Sequence, residues 1–68
     1  MQQAENYMAQ GEALKEQSDY YGAKQQYLMA RAIYSAYAET KKADQVQELI
    51  EQMDNYIAEK NSRKQESK

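Results

Sequence analysis

The chain has 68 residues and a formal net charge of −2, with seven Tyr and four Met but no Cys, His, Pro, Trp or Phe. A chain this short builds one core at most. The lack of Cys and His excludes disulfides, thiolate nucleophiles and Cys/His metal sites, and it removes the usual general base near neutral pH.

Leu, Ile and Val number only seven, so Tyr, Met and ten Ala must supply the rest of the core. No segment alternates with period two, and Ala, Glu, Gln, Lys, Leu and Met, all favourable in helices, dominate. An all-α chain of three helices is expected, forming a single domain over residues 1–60. The first helix should span about residues 2–17, with Ala4, Tyr7, Met8, Gly11 and Leu14 on one face. Gly inside such a stripe costs about 0.5–1 kcal/mol relative to Ala, which points to close approach by another helix. Ser18 and Asp19 then interrupt as N-cap residues.

The second helix is expected over residues 19–39, with a seam of Ala23, Tyr27, Ala30, Tyr34 and Tyr37. Leu28, Met29, Ile33, Ala36 and Ala38 widen its apolar surface, as in the central helix of a bundle. Continuing the seam meets Lys41, Asp44, Glu48 and Glu51, so the helix must end or bend between Glu39 and Asp44. A third helix follows over residues 44–60, with Val46, Leu49, Ile50, Met53, Tyr56 and Ile57 in line. Residues 61–68 carry no large apolar side chain and are expected to be a basic, disordered tail. The body up to Glu59 is acidic, so nucleic acid is not an expected partner.

From Ala4 to Ile33 the residues resemble one tetratricopeptide (TPR) repeat, a helix–turn–helix unit of about 34 residues. Tyr7, Gly11, Leu14, Tyr20, Ala23, Tyr27 and Ala30 stand at the positions that carry the family pattern. The resemblance implies that Gly11 and Ala23 let two helices approach and that residues 40–60 act as a capping helix. Gln10, Ser18 and Ser35 depart from the pattern, at positions where a hydrophobe, Gly and Pro are usual. Tyr20-Tyr21-Gly22-Ala23-Lys24-Gln25-Gln26-Tyr27 also resembles MIT domains, which are three-helix bundles of this size.

Carboxylates at Glu12/Glu16 and Glu48/Glu51 have no His beside them and are read as solvated helix faces. The expected protein is therefore not an enzyme and holds no cofactor or metal. In TPR proteins the inner face of the first helix holds ligands, which implies a binding role here for Glu5, Met8, Glu12, Lys15 and Glu16. A second candidate surface is tyrosine-rich: Tyr34, Tyr37 and Tyr56 lie at stripe edges, and Tyr is enriched at interface centres. The expected function is a non-catalytic protein-interaction module, an adaptor, a small helical chaperone or the terminal unit of a TPR array. Its partner would be a protein or peptide, such as an amphipathic helix. The alternative is structural: homo-oligomerisation or the capping of a scaffold. No run of about 18 apolar residues is present, so membrane insertion is not expected. The segment Met1-Gln2-Gln3-Ala4-Glu5 lacks the charged start and apolar centre of a signal peptide, so a cytoplasmic location is expected.

Overall fold

The structure, a computed structural model, describes residues 2–66, with side chains described through Asn61. Three helices follow one another: α1 (Gln2–Glu16), α2 (Tyr20–Ala36) and α3 (Thr40–Glu66). The all-α three-helix bundle is an open one. α2 packs against both neighbours, while among the described residues the backbones of α1 and α3 nowhere come within 8 Å of each other.

The core follows the helical spacing of the apolar residues. Ala23, Tyr27, Ala30 and Tyr34 of α2 are buried together with Ala4 of α1 and Ala43, Val46, Ile50 and Met53 of α3. Tyr7, Met8, Leu14, Leu28, Ile33 and Leu49 pack against this cluster while partly exposed. The largest fully buried side chains are Tyr27, Met53 and Val46, so a tyrosine supplies core bulk that the few Leu, Ile and Val do not. A Cβ on Gly11 would lie 2.6 Å from Tyr27 Cε1 and 2.8 Å from Cδ1. The close approach expected at Gly11 is therefore made by the Tyr27 ring.

Both turns are built alike. After α1, Ser18 adopts φ 65°; after α2, Ala38 adopts φ 61°. Asp19 N–H donates to the Leu14 carbonyl at 2.8 Å and Ser18 N–H to the Lys15 carbonyl at 2.9 Å. The second turn repeats the pair, with Glu39 N–H on the Tyr34 carbonyl at 2.8 Å and Ala38 N–H on the Ser35 carbonyl at 3.1 Å. Each pair is a Schellman closure around one left-handed residue. Asp19 then caps α2, its carboxylate accepting from Gly22 N–H at 3.0 Å.

The boundaries differ from those expected in four respects. Ser18 is a left-handed C-terminal residue, and Asp19 alone caps α2. α2 ends at Ala36, because the left-handed Ala38 closes it before Glu39. α3 starts at Thr40 instead of Asp44, with Ala43 N–H already bonded to the Glu39 carbonyl at 2.9 Å. Its backbone stays helical through Glu66, whereas a disordered tail was expected from residue 61. No Gly or Pro interrupts this segment, and Lys, Arg, Gln and Glu favour helix. Residues 67–68 of that expected tail lie outside the described part.

Candidate functional site

The charged side chains of the first two helices are sorted to particular sides. Seven charged residues occur up to Ala36: Glu5, Glu12, Lys15, Glu16, Asp19, Lys24 and Arg31. Asp19 is spent as the α2 cap. Lys24 Nζ lies 2.6 Å from Asp54 Oδ1 of α3. The Arg31 guanidinium donates to Gln47 Oε1, and Gln47 Nε2 in turn donates to Glu51 Oε2 at 3.3 Å. Both cations of α2 thus lean toward α3. Glu5, Glu12 and Glu16, at i, i+7 and i+11, share one side of α1.

What remains is a broad face without charge. On α2 it comprises Tyr21, Gln25, Leu28, Met29, Ala32 and Ala36, whose 100° spacing places them opposite the buried Ala23, Tyr27, Ala30 and Tyr34. Tyr21 is 64% exposed and Met29 49%. Gln25, Ala32 and Ala36 are exposed as well. Beside this strip, a shallow groove of about 440 Å³ runs between α1 and α2, lined by Gln3, Asn6, Tyr7, Gln10, Met29 and Ile33. It is continuous, through Gln3 and Ile33, with a second depression bounded by Gln2 and Tyr37. Every residue of both linings is uncharged.

The tyrosines expected at a surface have different fates. Tyr34 is 6% exposed and belongs to the core, with Lys42 Nζ 5.7 Å from its ring centroid. Tyr37 leaves the seam assigned to it and stands 68% exposed, because α2 ends one residue earlier. Tyr56 is exposed but stacked on Tyr20, the ring centroids 4.5 Å apart and the planes 20° apart. That pair borders a depression with Ser18, Glu59 and Lys60 at the α1–α2 turn, far along α2 from Tyr37. The three tyrosines therefore do not form one patch. Glu5 and Glu12 are exposed, while Met8 and Lys15 are half-buried.

Burial, with a smaller effect from the Glu12 carboxylate, raises the Tyr27 hydroxyl above the ordinary value of 10.0. The hydroxyl has no hydrogen-bond partner among the described residues, and neither does the buried Gln26 Oε1.

Sequence reading missed the charge-free face. The signal was present in the helical wheel of α2, where Lys24 and Arg31 fall 20° apart and leave the rest of the exposed surface without charge. Among the described residues, no group of three or more His, Cys, Asp or Glu side chains could hold a metal ion. No described helix is long and apolar enough to cross a membrane. No family model, curated protein or solved structure matches the chain.

Proposed function

We propose that the chain is a non-catalytic protein-interaction module that binds a partner through the uncharged face of α1 and α2. One observation carries this reading. In a chain that is 29% charged, a face spanning two helices is free of charge and exposes Tyr21, Met29 and Tyr37. Charged residues are depleted and Tyr and Met enriched at interface centres, and exposed apolar patches of this type mark interaction sites. The TPR-like reading of residues 4–33 belongs to the same proposal, with α3 in the role of a capping helix. It draws support from the buried Ala23 and Ala30 and from the Tyr27 ring seated on Gly11.

The test is a set of charge insertions. Met29→Lys and Ala32→Lys place a cation where a partner would have to desolvate it, which costs several kcal/mol if it is left unpaired. Both positions are exposed, so helicity should be retained. Loss of association in these two variants, with Glu12→Gln and Lys15→Gln unaffected, is the expected result. Loss in the latter pair alone would move the binding site to the acidic side of α1.

A further inference from the structure

The charge-free strip on α2 also has a pattern of sizes along its length, and that pattern specifies an occupant. Let a two-fold axis cross the helix between Leu28 and Met29. Residues whose numbers sum to the same value then lie at the same height in two antiparallel copies. Tyr21 stands level with Ala36 of the second copy, Gln25 with Ala32, and Leu28 with Met29. At both outer levels a long side chain meets an alanine, and at the centre two aliphatic side chains of similar size meet. Side chains that alternate large and small across facing positions interdigitate, and small ones let helices approach closely. We infer that α2 pairs antiparallel with α2 of a second copy of this chain, burying the strip in an isologous interface. The inference rests on the proposed binding role of this face and names its partner.

Charge argues for the same occupant. A strip with no charge of its own gains nothing from an acidic or basic peptide, and it would strip that peptide's charges of water. A second copy brings an equally neutral surface. Lys24 and Arg31, the cations nearest the strip in sequence, are directed toward α3 and do not face each other across the pair. Large side chains in the N-terminal half of the strip and alanines in its C-terminal half also disfavour a parallel pair, which would set Tyr21 on Tyr21 and leave Ala32 against Ala32. The pairing thus selects its own direction.

The chain has no cysteine, so single cysteines report the geometry without background. Two antiparallel copies bring position 29 within about one residue rise, ~1.5 Å, of itself along the helix axis. They hold the two copies of position 36 about 22 Å apart. The experiment is sedimentation of the whole chain from micromolar to millimolar concentration, together with mild oxidation of Met29→Cys and Ala36→Cys. The expected result is a reversible dimer, weakened about tenfold or more by Ala32→Lys, with rapid disulfide linkage at position 29 and little at position 36. Equal linkage at both positions would overturn the antiparallel arrangement. A monomer at every concentration would overturn self-pairing. In that case, a foreign partner lost with Ala32→Lys would leave the binding role of the face standing, and no such partner would remove both.

Discussion

At Gly11 the first two helices leave no room for a methyl group, since a Cβ would lie 2.6 Å from Tyr27 Cε1. The Tyr27 ring is fully buried and cannot swing aside cheaply. Gly11→Ala therefore lowers the thermal midpoint, although Ala is better than Gly in a helix by about 1 kcal/mol. Gly11→Leu overpacks the contact further, at a cost of about 1–3 kcal/mol or more. A Gly11→Ala midpoint above the wild type would show that α1 and α2 do not meet through Tyr27.

The hydroxyl of Tyr27 is the complementary case. It is buried without a partner, and an unsatisfied buried polar group costs about 1–3 kcal/mol. Tyr27→Phe keeps the ring and removes that cost, so thermal melting should show a stabilised protein. The pH dependence follows from the raised titration, caused first by burial and then by Glu12. The folded state keeps its proton where the unfolded tyrosine, with a value near 10, has begun to lose it. The unfolded state then binds fewer protons, so stability is intact below about pH 10 and declines as pH rises toward the folded value. Urea unfolding across this window should show a steeper decline for wild type than for Tyr27→Phe. Identical slopes would place the hydroxyl in contact with water.

Among the elements, the two turns are where local preference and fold disagree. Ser18 and Ala38 hold left-handed conformations that glycine adopts without cost. Ala38→Gly should stabilise by about 0.5–1 kcal/mol, the relief of strain exceeding the entropy added to the unfolded chain. Ala58→Gly, exposed within α3, should destabilise by a similar amount. Paired urea titrations check both signs, and a destabilised Ala38→Gly would mean that α2 and α3 are not separated there. This disagreement also explains what could be read in advance. The seams of α2 and α3 are legible because burial follows the 3.6-residue period, and Val46, Ile50 and Met53 fall inside as their spacing requires. The end of α2 is not, because an alanine stands where a glycine would have announced it. Tyr37 continues the periodicity of the α2 seam, but the helix stops before it and leaves the ring exposed.

At the scale of the molecule, three helices side by side leave α2 covered on two flanks and bare behind. The charged residues that would normally solvate such a back face lie elsewhere: on the far side of α1, at the α2 cap and toward α3. No single residue displays this, which is why the uncharged face was harder to find in the sequence than the core. The acidic side of α1, with Glu5, Glu12 and Glu16, keeps the solvated character of an ordinary surface helix, while Met8 and Lys15 beside it are half-buried. The central claim is that association occurs through the uncharged side. Its most direct test is site-specific photocrosslinking from two exposed positions of the intact chain, Met29 on the neutral face and Glu12 on the acidic one. A benzophenone at position 29 should give a protein adduct, of this chain or another, while the same group at position 12 gives little. Adducts from position 12 with none from position 29 would contradict the account.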